Sequence, residues 1–128
     1  MMKKTTLLIA VTVLSTALAA TSASAGDAAA GETLFKKKCK MCHTTGDNGK
    51  NGMGPNLRGI VGRTVGTVAS YTKYSDAMKA TGVVWDAASI DKLLQDPKAF
   101  AEGNKMKGGK IKKADQRADI IAYLATVK

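Results

Sequence analysis

The sequence is short of most things a self-sufficient core is built from. Its 128 residues include two Phe, one Trp and three Tyr, against 13 Gly. A bulky apolar group bound in the centre would supply buried surface that the side chains do not, although composition alone does not require one. There is one histidine, which excludes any site needing two imidazoles from one chain. There are two cysteines and no further Cys or His pair, so a four-ligand zinc site is incomplete. No internal repeat occurs, and no convincing run of strands. Acidic residues are scarce, 10 against 20 basic ones, for a formal net charge of +10.

The N-terminus departs from the rest. Lys3 and Lys4 precede an uncharged run from Leu7 to Ala20, and Ala23-Ser24-Ala25 follows as a small-x-small site. That order reads as a secretory leader cleaved after Ala25, with residues 26–128 forming one domain. A retained anchor competes, because the run nearly reaches spanning length, but Thr and Ala dilute its hydrophobicity. No other segment is apolar enough to cross a bilayer. The expected product is a soluble monomer in the periplasm, without permanent membrane insertion. Export argues against nucleic acid as the partner of so basic a chain, and Lys outnumbers Arg, whereas base readout favours Arg. An acidic protein surface is the better match.

Apolar spacing and capping residues predict helices joined by long loops. Asp27 can cap a first helix running to about Lys40, with Leu34 and Phe35 inward and Lys36, Lys37 and Lys38 at the end that suits cations. Ser75–Thr81 can form a short helix. Asp86 can cap another, with Ile90, Leu93 and Leu94 on one face and Pro97 beyond its end. Asp115 can cap a last helix, where Ile120, Tyr123, Leu124 and Val127 recur at helical spacing. Thr44 to about Ser70 and Gly103 to Lys113 read as irregular. The expected class is all-α, with loops long enough to need something to wrap around.

Cys39-Lys40-Met41-Cys42-His43 is the most informative segment. Two thiols three residues apart near a helix end point the same way and can add to the two vinyl groups of one haem. The following histidine is then placed to bind the iron. C-x-x-C-H is the spacing of c-type haem attachment. A disulfide is the simplest competitor, since export permits one. A thioredoxin-like pair would need a βαβ pattern that is absent. Because His43 is the only histidine, the sixth ligand must be methionine, lysine or nothing. Met41 lies inside the motif, Met53 precedes a Gly-Pro turn near the proximal side, and Met78 suits core packing. Met106, in a Gly- and Lys-rich loop far along the chain, is the best placed.

With these residues in view, the sequence resembles the class I c-type cytochromes, close to bacterial cytochrome c2 and mitochondrial cytochrome c, over residues 26–128. Gly31 and Phe35 match the first helix, where the resemblance implies that the last helix crosses it. Gly54-Pro55-Asn56-Leu57-Arg58-Gly59 matches the proline loop, implying that Pro55 accepts a hydrogen bond from His43. Gly62-Arg63 matches a pair near a haem propionate. Tyr74 and Trp85 match aromatics that hydrogen-bond the propionates. Gly103-Asn104-Lys105-Met106 is similar to the family's Gly-Thr-Lys-Met, implying Met106 as second axial ligand and Asn104 in the haem pocket. Asp119 to Leu124 matches the last helix. Leu93, Met78, Gly108-Gly109 and Lys110 depart from the mitochondrial pattern, and these departures predict a softened Met106 loop that yields to a nearby lysine at alkaline pH.

The resemblance implies one covalently attached haem c per chain and a small cytochrome c fold. It also implies that the protein is no enzyme but a carrier of single electrons between redox partners. Acidic faces of a quinol–cytochrome c reductase, an oxidase, a dehydrogenase or a reaction centre would fit. Lys38, Lys40, Lys50, Lys98, Lys105 and Lys107 flank the ligand-bearing segments and could steer such a partner. The alternative is a five-coordinate haem protein with peroxidase or gas-binding activity.

Overall fold

A computed structural model describes residues 26–128; the expected leader, residues 1–25, lies outside the described residues. Among the described residues five helices occur in order: α1 (Ala28–Lys38), α2 (Asp76–Lys79), α3 (Ala87–Gln95), α4 (Pro97–Phe100) and α5 (Ala114–Thr126). Among the described residues there is no strand, only one antiparallel bridge between Thr64 and Val84. The class is all-α, and the first and last helices pack on each other.

That crossing is built from small residues and one aromatic pair. Asp27 caps α1, its carboxylate accepting from the N–H groups of Ala29 (2.8 Å) and Ala30 (3.2 Å). Gly31 is buried, and a Cβ there would fall on the backbone carbonyl oxygen of Asp119. Glycine therefore lets the two backbones touch. One turn on, Phe35 is buried and meets Tyr123 at 5.4 Å between ring centroids, tilted by 52°. The Asp119 carboxylate accepts from the Asp27 N–H at 2.8 Å and ties the start of α1 to α5.

Helix ends differ from expectation in four places. α1 stops at Lys38 with Cys39 as its C-cap, because the chain turns there to present the cysteine motif. Pro97 does not merely lie beyond α3 but opens α4 at its first turn, where a missing N–H costs nothing. Asp96 closes α3 and caps α4, accepting from Lys98 and Ala99. Asp115 does not cap α5. Lys113 holds that position without a side-chain bond, and Asp115 sits in the first turn, where a carboxylate still suits the helix dipole. α2 is shorter than the expected Ser75–Thr81, with Ser75 as its cap, while α3 is capped by Asp86 as expected, in a reciprocal capping box with Ser89.

The loops are braced by side chains instead of ladders. Asn51 donates to the Ser70 carbonyl at 2.9 Å and accepts from the Asn56 N–H at 2.8 Å. Asn56, itself buried, donates to the Gly46 carbonyl at 2.8 Å and accepts from the Arg58 N–H at 2.8 Å. Arg58 donates to the carbonyls of Thr45 (3.0 Å) and Lys128 (2.5 Å). Residues 61–65 run beside 83–85 through the bonds Gly62 N–H to Trp85 (2.7 Å), Trp85 N–H to Arg63 (2.8 Å) and Val65 N–H to Val83 (2.8 Å), which turns Trp85 into the core.

Arg117 fastens α5 to α3. Its Nε donates to Asp91 at 2.6 Å, and Nη1 donates to the carbonyls of Ile111 (2.9 Å) and Lys112 (3.0 Å). The bond from Arg117 holds the Asp91 carboxyl below its ordinary range. A depressed carboxylate adds stability above its unfolded pKa, near 4, and loses it as pH falls through the folded value. Arg117→Ala is expected to cost about 2 kcal/mol at neutral pH. The gap from the unaltered protein should narrow below about pH 4, as urea melts at two pH values would show.

Candidate functional site

One cavity of about 290 Å³ lies at the centre, and every helix but α4 reaches it. Its wall is mostly apolar: Phe35, Leu57, Ile60, Trp85, Ile90, Leu94 and Ile120 form much of it. Into this wall are set Cys39, Cys42, His43 and Met106, the four residues expected to hold a haem. The polar contributors include Tyr71, Tyr74, Ser75 and Asn104.

The cysteine motif is presented by a tight turn after α1. Cys39 N–H donates to Phe35 (2.8 Å), and the N–H groups of Cys42 (3.1 Å) and His43 (2.9 Å) both return to the Cys39 carbonyl. This coils Cys39 and Cys42 onto one side. Both thiols are free and half-buried. Burial first, and the neighbouring Cys42 second, push the Cys39 thiol up to about 11.

His43 is held from behind. Its Nδ1 lies 2.9 Å from the Pro55 carbonyl oxygen, an acceptor, so Nδ1 carries the proton and Nε2 keeps a free lone pair. Burial pushes the imidazole pKa down, and the Pro55 bond partly offsets it. A neutral ring with one blocked nitrogen is the form that ligates a metal. The glycines around it leave the ring its space: a Cβ on Gly54 would lie 2.5 Å from His43 Cε1, and one on Gly52 would lie 2.5 Å from the Cys42 carbonyl oxygen. An imidazole, a thioether sulfur and two thiols in one apolar cavity are a donor set suited to haem.

The remaining expected residues are distributed unevenly. Met53 lines the cavity but is 72% exposed, and Met41 is 88% exposed. Met78 is partly buried against the core. Trp85 is buried and stacks on Phe100 at 5.3 Å, 15° from parallel. The Tyr74 hydroxyl accepts from the Val68 N–H at 3.4 Å, and burial is the main cause that raises its pKa. Arg63 is exposed and belongs to a smaller neighbouring cleft with Asp47, Asn56 and Arg58, not to the central cavity. Asn104 is already engaged within the chain: its amide donates to the Pro97 carbonyl, and its carbonyl accepts from the Met106 N–H at 2.8 Å. Tyr71 was not anticipated. It lines the cavity, donates to the Met53 carbonyl at 2.6 Å and packs edge-on against Tyr74 at 4.8 Å. It lies in an irregular loop with no periodicity to mark it.

The family model described as Cytochrome c matches residues 28–128. Cytochrome c2 of Rhodomicrobium vannielii is 45% identical over 107 residues, 84% of each chain. Cytochrome c of Chlamydomonas reinhardtii is 45% identical over 102 residues, 80% of this chain and 90% of that one. Cytochrome c of Guizotia abyssinica is 47% identical over 102 residues, 80% and 91%.

Proposed function

The chain belongs to the cytochrome c family, and from that membership we propose that it is a soluble periplasmic carrier of single electrons, held to one covalent haem c by Cys39 and Cys42 and ligated by His43 and Met106. The observation that carries this reading is the convergence of those four side chains on one apolar cavity. When bound, haem supplies an iron that cycles between Fe(II) and Fe(III). The protein's part is to keep that cycling free of other chemistry. Pro55 holds the His43 ring by Nδ1, which would leave Nε2 free to bind the iron. Met106 would supply the sulfur ligand from the cavity wall, which would leave no room for a substrate at the metal, and sulfur ligation would raise the potential.

The leader ending at Ala25 would deliver the chain to the periplasm. Among the described residues no helix is long and apolar enough to cross a membrane. Lys38, Lys105 and Lys107 line the cavity rim, a placement that suits an approaching acidic partner. Partners of this kind include a quinol–cytochrome c reductase, an oxidase, a dehydrogenase and a reaction centre.

Absorption spectra of both oxidation states test the reading. The oxidised protein should show the weak sulfur-to-iron charge-transfer band, and the reduced protein should bind carbon monoxide slowly and incompletely. Rapid stoichiometric binding without that band would instead favour the five-coordinate peroxidase or gas-binding alternative.

A further inference from the structure

We propose that Asn104 is the positioning residue for Met106, clipping its segment to the corner where α3 meets α4, with Lys110 as a weaker second clip on the far side. The proposal rests on Met106 being the axial ligand.

The segment from Gly103 to Lys113 contains no helix. Its N-terminal end is secured by Asn104 N–H to Ala101 (3.0 Å), and its C-terminal end by Ile111 N–H to Leu94 (2.8 Å) and by Arg117 on the carbonyls of Ile111 and Lys112. Between them, Met106 is the only residue from 105 to 110 whose backbone N–H finds a partner in the described chain, and that partner is the Asn104 side-chain oxygen at 2.8 Å. The other end of the same amide donates to the Pro97 carbonyl. One planar group thus connects the residue carrying the sulfur to the first turn of α4. Asparagine can do this because its donor and acceptor are separate atoms facing opposite ways.

The second clip uses the same corner. Asp96 spends Oδ1 on capping α4, with Lys98 N–H at 3.1 Å and Ala99 N–H at 3.2 Å. Its Oδ2 is left for Lys110 Nζ at 3.4 Å. Both partners are half-exposed, so this pair contributes little. Asn104 carries most of the restraint. Gly109 clears the space: at φ +85° it adopts a left-handed conformation, and a Cβ there would fall on the Met106 methyl.

The test uses the full-length oxidised holoprotein, with imidazole as the probe that competes for the iron when the Met106 segment lifts away. The readouts are imidazole affinity and the sulfur-to-iron band. Asn104→Ala should raise the affinity about tenfold, the consequence of losing one internal bond and orphaning its partners. Asn104→Asp keeps the acceptor for Met106 N–H but loses the donor to Pro97, so it should fall between. It also decides the matter if the alanine variant does not fold. Lys110→Met should raise the affinity about twofold at low salt and not at high salt, and Lys110→Arg should restore it. Affinities for Asn104→Ala and Asn104→Asp that match the unaltered protein, with its band present, would overturn the clip. Absence of the band from the unaltered protein would overturn the Met106 ligation and the clip together.

Discussion

Replacing Cys39 and Cys42 together with serine is expected to yield a chain that neither retains haem on a denaturing gel nor folds stably without it. The first outcome follows from the chemistry, since a hydroxyl does not form the thioether. The second follows from the cavity. A void of about 290 Å³ costs on the order of 7 kcal/mol if residual cavity volume is weighted as in core-truncation series. A domain of this size has roughly 5–15 kcal/mol in total. The core residues Phe35, Ile60, Trp85, Ile90, Leu94 and Ile120 all line that space, so without the cofactor they face a gap rather than one another. Circular dichroism of the double variant should show much of the helical signal lost, and haem staining should be negative. A well-folded, cooperatively melting variant without haem would contradict this account of the core. Single replacements should be milder, leaving one thioether and a folded protein that melts lower.

Gly31→Val is expected to lower the melting temperature of the holoprotein on the order of 15 °C, the shift that about 3 kcal/mol produces in a domain of about 100 residues. The new Cβ would coincide with the Asp119 carbonyl oxygen and lie 2.9 Å from Tyr123 Cβ. The obstructing oxygen is backbone, so no rotamer change relieves the overlap and the helices must separate. Separation in turn loosens the Phe35–Tyr123 contact and the Asp27–Asp119 bond. Gly31→Ala should fall in the same direction, because its gain in helix propensity, about 1 kcal/mol, is smaller than the overlap. Scanning calorimetry measures both. A Gly31→Val protein melting within about 3 °C of the original would mean that the crossing tolerates another atom.

The residues most legible in the sequence are those whose chemistry is contiguous. Cys39, Cys42 and His43 are adjacent, so spacing alone defined their joint task, and the structure places all three on one cavity. Helices α3 and α5 were legible because their apolar faces repeat, and α1 because Asp27 caps it and lysines crowd its far end. Their ends were less so: Pro97 can stop a helix or start one, and Asp115 suits a cap or a first turn equally. Only the path of the chain decides between these. The loop residues Leu57, Ile60 and Tyr71 could not be found by pattern, since a wall built from irregular backbone has no period. Arg63 and Asn104 show a different limit. Matching a motif says which residue type stands at a position. It does not say that Arg63 turns outward here, or that both ends of the Asn104 amide are already occupied.

The asparagine bracing of the loops has a consequence for how the protein meets changes in acidity. Asn51 and Asn56 hold residues 46–70 together through carboxamides, which neither gain nor lose a proton across the physiological range. The only histidine in the sequence is His43, turned inward against Pro55 rather than into that bracing. The bonds of Asn51 and Asn56 therefore carry over unchanged when the compartment acidifies or turns alkaline.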